Sequence, residues 1–383
     1  MKNNSSMLLA IILLLLIVNI NKNLNLGISF LNIKPTFLFF LIILLFIYEL
    51  YLSIKNDFKI PKIVVHSLLV STSFFLSSIV FLRGSSFSFM TILISNFLWS
   101  MVFYISFRKP ITNSKANVFM LSLYVIISSF FYIQYMLSDN RINTPEGINT
   151  VYYILFALPL VSLIKNYRLK YILLFLIILA VGISLKRTPV IALAVSVFLI
   201  IVYKLSLKKI RINFNINIGL VGFTSALLII GIFLFGDYIK LGITDRFLSL
   251  LSDEGSGRIQ IYNSILGDFG SLNILFKFIG RGYLGTNIYG TLGVGAHNDF
   301  LEILYNYGFV GLFLYISFIL HLIIYFIEKY KNKESYNKYF IASFSILISV
   351  SMFSQLILIP SYFLLLPVFW GHFFQNRLRN DVL

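Results

Sequence analysis

The chain contains no cysteine and few charged residues. Without cysteine it can form neither a disulfide nor a Cys-ligated metal site, and it has no thiol nucleophile. Its four histidines never stand in H-x-x-x-H or H-E-x-x-H spacing, so we predict neither a metal nor another cofactor. A G-x-S-x-G motif and a Walker loop are also missing. These absences exclude the usual thiol, serine-hydrolase and P-loop ATPase chemistries.

Apolar residues dominate what is present. They make up 58% of the 383 residues, only 12% are charged, and the mean hydropathy is +0.90. A soluble domain does not tolerate that much apolar surface, and repeated runs of about 20 apolar residues are typical of transmembrane helices. The sequence therefore predicts an all-α polytopic bundle, with residues 1–383 forming a single integral membrane domain.

About twelve transmembrane spans can be placed, nine before a long polar stretch and three after it. Their predicted bounds are 7–20, 35–54, 63–82, 87–107, 117–137, 150–164, 170–185, 189–203, 218–235, 308–327, 338–358 and 361–374. The first is interpreted as a retained span because no small-residue cleavage site follows it. The polar stretch, residues 236–307, forms one large loop.

The distribution of basic residues predicts the orientation in the membrane. The net charge of +17 could indicate a nucleic-acid partner, but the Lys and Arg residues lie between the spans, where lipid headgroups and topology explain them. Twenty of the 31 fall on one side, six on the other, and five in the large loop. We therefore predict cytoplasmic termini, an outward-facing loop that shares its face with Lys186 and Arg187, and no nucleic-acid partner.

The large loop has the features of a functional segment. Residues 258–269 place apolar side chains at helical spacing, which predicts an amphipathic helix along the membrane surface. Six glycines fall within 280–295; they would allow close approach to a ligand, and a flexible linker is the alternative. Residues 280–285 match G-x-G-x-x-G, but no strand–turn–helix unit surrounds them, so a dinucleotide site is rejected. Asp299 and Glu302 have the spacing of a capping box.

Among the basic residues on the predicted outward face, three arginines are singled out as candidates: Arg187, Arg258 and Arg281. A guanidinium offers a planar set of donors that suits phosphate oxygens, so the three together, supported by Lys186, are candidates to bind a diphosphate. Alternatively, each extends to lipid headgroups or pairs with a nearby carboxylate. The candidate carboxylates are Asp253, Glu254 and Asp268.

His297 is the candidate general base. It follows the glycines and precedes a helix start, and a neutral imidazole near pH 7 can accept a proton from a hydroxyl. A purely structural histidine is the alternative, with Glu302 among the carboxylates that would then replace it as base. The histidines within spans are expected to pack or to bond between helices. They are His66, His321 and His372.

Residues 297–311 carry a resemblance to a known family. His297-Asn298, nine residues and Gly308-x-x-Gly311 resemble the H-N-x9-G-x-x-G signature of the O-antigen ligase and polymerase superfamily. About twelve spans with one large outward loop late in the chain are also similar to that superfamily. Further matching segments are 186–188, 256–258 and 279–282. The specific part of the resemblance covers residues 184–311, whereas the first 150 residues are similar only as generic spans.

The resemblance implies a metal-independent glycosyltransferase of the bacterial plasma membrane, acting on undecaprenyl-pyrophosphate-linked glycans at the outer face. In this interpretation His297 is the base, and Arg187, Arg258 and Arg281 hold the diphosphate. Lys186, Asn298 and Glu302 support them. Membrane lipids are partners, and a flippase and a chain-length regulator are further candidate partners.

Several functions remain open from the sequence. The divergent first half favours a polymerase of O-antigen or capsular repeat units; an O-antigen ligase that transfers polymer to lipid A-core is the closest alternative. A polysaccharide flippase also has about twelve spans, but it would be expected to carry ionisable residues at mid-membrane, where this sequence has almost none. A structural partner of the assembly machinery is the third alternative.

Overall fold

A computed structural model describes most of the chain. The described residues are 4–31, 33–81, 89–110, 114–138, 145–184, 186–207, 257–330, 337–354 and 359–380. They include His297, the three candidate arginines and the supporting residues Lys186, Asn298 and Glu302. Asp253, Glu254 and the predicted span 218–235 lie outside the described residues.

Within these ranges the protein is all-helical, without a strand. The first ten helices are α1 (Asn4–Leu24), α2 (Pro35–Lys55), α3 (Lys62–Val80), α4 (Phe89–Arg108), α5 (Lys115–Leu137), α6 (Pro145–Asn149), α7 (Val151–Leu155), α8 (Leu158–Ser162), α9 (Tyr167–Ile183) and α10 (Arg187–Leu207). The others are α11 (Arg258–Ser271), α12 (Ile274–Ile279), α13 (Gly285–Tyr289), α14 (Asp299–Tyr330), α15 (Asn337–Phe353) and α16 (Leu365–Asn380). Short 3-10 helices occupy Ser29–Leu31 and Pro360–Phe363.

Six of these helices are long and apolar enough to cross a membrane: α1 to α5 and α14. Three shorter apolar segments lie at 147–162, 187–203 and 337–353. The predicted span 150–164 is divided into α7 and α8, and Pro159 stands in the first turn of α8, where proline is tolerated because that amide has no helical partner. These apolar helices support the predicted membrane class, while the number twelve and the sidedness stay predictions.

The helices pack through small residues and polar contacts. In α10, the Ser196 hydroxyl lies 2.8 Å from that of Ser345 in α15. A Cβ on Gly371 of α16 would stand 2.6 Å from the backbone nitrogen of Phe107 in α4, so these helices approach each other closely. His66 of α3 and His321 of α14 bring their Nδ1 atoms within 3.4 Å, which confirms the predicted interhelical bond for these two. Such contacts are typical of membrane bundles.

Four helix ends meet at one end of the bundle, which we call the site face. Thr188, in the first turn of α10, donates to the carbonyl of Phe353 at the end of α15 (3.2 Å). Asn298, before α14, donates to the carbonyl of Met352 (3.1 Å). Ser77, in the last turn of α3, donates to the carbonyl of Asn306 in α14 (3.2 Å). The described part of the large loop, from residue 257, therefore shares one face with the Lys186–Arg187 turn, as the sequence predicts.

Helix α14 is broken near its start. Gly308 has a φ of 66° and a ψ of −169°, so it interrupts the helix between residue 307 and residue 309. The carbonyls released by the break are bonded by the turn after α12, because Arg281 N donates to Tyr305 O (3.1 Å) and Gly282 N to Asn306 O (2.6 Å). Gly280, with a φ of 77°, packs against this break. The two segments thus interlock through backbone atoms.

We expect Gly308→Ala to destabilise the protein strongly. The left-handed backbone alone costs an L-residue about 1–2 kcal/mol, and the new Cβ would overlap the Phe278 carbonyl. A matched control is Gly267→Ala in α11, where a Cβ meets nothing within 4 Å and helix propensity favours alanine. Thermal unfolding in detergent should show a lower midpoint for Gly308→Ala only. Equal midpoints for both variants would contradict the interlock.

Candidate active site at the start of α14

Asn298 caps α14 and positions His297 next to it. The Asn298 Oδ1 accepts from the backbone N–H of Phe300 (2.9 Å) and of Leu301 (3.2 Å), which satisfies two amides of the first turn. The helix begins at Asp299, as predicted. The predicted capping box is wrong, however, because Asn298 rather than Asp299 is the N-cap residue. The side chain of Glu302 instead reaches further back, to Ala296.

Glu302 holds the segment that carries His297. Its carboxylate is fully buried and accepts hydrogen bonds from the backbone N–H of Ala296 and from the Thr286 hydroxyl. Asn306 Nδ2 donates to it as well (3.2 Å). These bonds connect α13 and the 295–297 segment to α14. The supporting role predicted for Glu302 is therefore that of a buried acceptor, which leaves it no exposure to act as a base.

His297 occupies an unusual backbone conformation at the end of this segment. Its φ is 50°, in the left-handed region that residues other than glycine seldom adopt. The side chain is exposed at the site face, whereas its neighbour Ala296 is fully buried. The bonds of Ala296 to Glu302 and of Asn298 to Met352 fix the chain on both sides of it. A strained, exposed histidine held from both sides is typical of a functional position.

Two basic side chains lie within electrostatic range of the imidazole. Partial burial, followed by the positive charges of Arg258 and Lys186, lowers the pKa of His297 from its ordinary value near 6.5. Arg258 is the first residue of α11, and Lys186 directly precedes α10. The structure therefore brings Arg258 and Lys186, which lie 39 and 111 positions before His297 in the sequence, into range of its imidazole. It also keeps the imidazole neutral at physiological pH, as a general base requires.

Arg187 belongs to the same surface by its position. It begins α10, between Lys186 and Thr188, and Thr188 is tied to the end of α15. We call Lys186, Arg187 and Arg258 the basic cluster. Asp268, one of the alternative partners for the loop arginines, bonds instead to Thr291, whose backbone N–H donates to it at 2.8 Å.

Helix dipoles add to the positive potential of the basic cluster. Three helices, α10, α11 and α14, begin at this surface, and each N-terminus carries a partial positive charge. The first turns of α10 and α11 contain no acidic residue. The α14 N-terminus carries Asp299, which is buried, and Glu302, which is bonded to Ala296. The surface around His297 is thus suited to an anion with several oxygens.

Arg281 lies outside the basic cluster. Its guanidinium carbon is 4.1 Å from the centre of the Phe276 ring and 5.4 Å from that of Tyr289. It lines a small pocket between the turn at residues 281–283, α13 and the ends of α3 and α4, and it is not among the charges that shift the pKa of His297. The structure does not bring Arg281 to the basic cluster. Its guanidinium packs against rings of α12 and α13, and its diphosphate contact stays a prediction.

Two buried residues near the basic cluster, Tyr152 and Asp299, are not candidate site residues in the sequence. Tyr152, in α7, is buried and lies within interaction range of Arg258, Asp299 and Thr188. Asp299 is also buried, directly after the Asn298 cap. A tyrosine within an apolar run gives no local signal, whereas Asp299 was predicted only as a cap.

Neither a metal centre nor a dinucleotide site is visible in the part of the chain that the structure describes. Within these ranges, no three His, Asp or Glu side chains are grouped as metal ligands would be. Residues 280–285 form the turn between α12 and α13 and enter α13, without the strand that a dinucleotide site requires. Gly280 and Gly282 have φ values of 77° and 80° and pack against α14 and α3, which contradicts the flexible-linker interpretation for these two.

Comparison with known proteins adds no family to this description. No protein-family model matches the chain. A search of curated proteins finds no similar sequence either. The function is therefore argued from the site itself.

Proposed function

We propose that the chain is a polymerase of lipid-linked oligosaccharide repeat units, of the O-antigen or capsular type. The observation that carries this proposal is the exposed His297, with its lowered pKa, beside Lys186 and Arg258 at the meeting point of three helix N-termini. A base next to a polyanion site suits a reaction in which a hydroxyl attacks a carbon that bears a diphosphate leaving group. The resemblance of residues 297–311 to the ligase and polymerase signature supports the same reaction.

In the proposed reaction, His297 accepts the proton from a sugar hydroxyl of the incoming unit. The oxygen of this hydroxyl forms a bond to the anomeric carbon of the growing chain. The bond from that carbon to the polyprenyl diphosphate oxygen breaks, and the electron pair leaves with the diphosphate. The basic cluster binds the diphosphate in the ground state and stabilises the extra negative charge of the leaving group. The reaction balances without an oxidant, a reductant or a metal.

The fixed cap at Asn298 and the buried Glu302 give the base its position. Because Asn298 bonds to both α14 and the end of α15, the imidazole stands at a fixed place relative to α10 and its basic residues. Holding a base and an anion site rigidly before the substrate arrives reduces the reorganisation needed in the transition state.

The phenotype of a deletion strain would test this function and its alternatives. Deletion in the bacterium that carries the gene should leave single repeat units on the cell surface, seen as one band in place of a ladder on a gel of surface glycan. Complementation by the wild-type chain should restore the ladder. Long unattached polymer would instead indicate a ligase, and the loss of all surface repeats would indicate a flippase.

The proposed reaction also requires the site face to lie outside the cytoplasm. We expect a reporter fused after Leu292 to lie outside the cytoplasm and one fused after Tyr330 to lie inside it. Helix α14 separates the two positions, and the basic residues are concentrated at its C-terminal end. Paired phosphatase and fluorescent-protein fusions measure this directly. A cytoplasmic signal at Leu292 would reject the proposed function, since an exported lipid-linked glycan would not reach His297.

A further inference from the structure

Helix α12 exposes three of its five apolar side chains. None of its six residues is buried. Ile274 is 72% exposed, Leu275 58% and Phe278 51%, and the helix carries one charge, Lys277. Phe276 points to the protein, where its ring contacts Phe81 at 5.4 Å. Water is a poor environment for such a surface, so another apolar phase must cover it.

The neighbouring helix α11 has a similar exposed face. Ile265 and Phe269 are buried against the protein, but Ile259 is 55% and Leu266 47% exposed. The two exposed residues are seven positions apart, so they lie on the same side of the helix. The apolar stripe predicted from the sequence is therefore divided between a side packed on α14 and a side that faces away from the protein.

The break in α14 places α12 at the edge of the membrane. The apolar segment Asp299–Ile327 has 29 residues and would be about 44 Å long if straight, which exceeds a hydrocarbon core of about 30 Å. The part after Gly308 alone measures about 30 Å, so the break stands near the boundary of the bilayer. Gly280, at the end of α12, packs against that break, and Ser77 of the last turn of α3 bonds to it.

The exposed surface of α12 continues onto the membrane-facing surface of α14. The rings of Phe278 and Phe309 are 6.2 Å apart at their centres. Phe309 is 47% exposed and Phe313, one turn further into the membrane, is 71% exposed. A side chain exposed on a membrane span faces lipid unless another helix covers it. The lipid that contacts Phe313 can therefore extend over Phe309 to Phe278 and Leu275.

We propose that α12, with the exposed face of α11, inserts among the phospholipid acyl chains of the leaflet at the site face. In this position Lys277 extends to the headgroup phosphates. The insertion anchors α11, whose first residue is Arg258, at the depth of the headgroups. The proposal does not depend on the reaction at His297, because lipid contact can be measured without substrate.

Spin labels can test the insertion directly. The absence of native cysteine allows single-cysteine variants at Ile274, Leu275 and Phe278, with Asn287 and Leu292 as exposed controls on α13 and the turn after it. Each is labelled with a nitroxide in vesicles of phosphatidylcholine and phosphatidylglycerol. Oxygen concentrates in lipid, so we expect it to relax the labels at 274, 275 and 278 more than a water-soluble nickel chelate does. At the controls 287 and 292, the nickel chelate should relax the label more than oxygen does. Greater nickel accessibility at 275 and 278 would overturn the proposal.

A second measurement separates lipid from protein as the occupant. A second copy that covers α12 would bring two labels at position 278 together and broaden the spectrum. Broadening that disappears on dilution with unlabelled protein would therefore overturn the proposal. In the label-278 variant, Leu275→Asp should lower the ratio of oxygen to nickel accessibility several-fold, because a carboxylate opposes insertion. Leu292→Asp changes a leucine that is also at least half exposed but lies outside this surface, and it should leave the ratio unchanged. An unchanged ratio in Leu275→Asp would contradict the insertion.

Discussion

His297→Ala is expected to stop chain extension while the protein remains folded in the membrane. A sugar hydroxyl is a weak nucleophile at neutral pH, and general-base assistance contributes about 10²–10⁴-fold to such a step. The side chain is exposed, and the surrounding bonds use backbone atoms and the side chains of Asn298 and Glu302, so its removal leaves them intact. The measurement is polymer formation by purified protein in vesicles supplied with lipid-linked repeat units.

His297→Gln separates the base from a structural histidine. Glutamine keeps the reach and the hydrogen bonding of the imidazole but accepts no proton at neutral pH, so this variant should fail as well. His66→Gln, in a histidine that bonds to His321 within the bundle, is the matched control and should retain activity. Full activity of His297→Gln would show that this residue only bonds the acceptor.

The pH profile gives an independent test of the same role. Activity requires the neutral imidazole, so it should be lost as the pH falls through the pKa of His297. Burial, Arg258 and Lys186 lower this pKa, so the loss should occur below the ordinary histidine range near 6.5. Lys186→Met removes one of the two charges and should move the acid limb of the profile to higher pH. An unchanged acid limb would contradict the electrostatic coupling between these residues.

Arg258→Ala is expected to reduce the rate by about 30- to 1000-fold, equivalent to about 2–4 kcal/mol of lost transition-state stabilisation. Arg258→Lys should recover part of the rate, since lysine keeps the charge but lacks the planar pair of donors. Arg187→Ala should behave in the same way. The assay is the one used for His297, with protein abundance measured in parallel.

Arg281→Ala provides the contrast within the same loop. Its guanidinium packs between Phe276 and Tyr289, apart from the basic cluster, so we expect this variant to lower the thermal midpoint more than the rate per folded molecule. A rate loss for Arg281→Ala equal to that of Arg258→Ala, at an unchanged midpoint, would return Arg281 to the diphosphate site. Wild-type rates for both Arg187→Ala and Arg258→Ala would reject the basic cluster as a substrate site.

Local patterns predicted the elements around the site well. The apolar repeat at 258–269 predicted α11, observed as Arg258–Ser271, and the polar run before residue 300 predicted the start of α14. Alternation of the spans also predicted that Lys186 and the large loop share a face. Each of these inferences depends on spacing within one segment, or on charge counts between segments, which a single sequence contains.

Contacts between distant segments were not predictable in the same way. The G-x-x-G part of the signature gives no sign that Gly308 breaks α14 or that Gly280 packs into the break. Arg281 was grouped with the other arginines because its charge is visible in sequence, whereas the two rings that enclose it depend on the turn geometry. The capping-box pattern pairs Glu302 with the backbone amide of Asp299. In the structure the N-cap is Asn298, one position earlier, and Glu302 bonds to the amide of Ala296.

The interlock of Gly280 with Gly308 sets an order for assembly during synthesis. The turn after α12 leaves the ribosome before the helix against which it packs, and its amides bond to carbonyls of Tyr305 and Asn306 that exist in position only once α14 has been inserted. The surface around His297 therefore forms only after α14 is in place. An isolated fragment covering 257–298 lacks these acceptors, so it would not reproduce the site in solution.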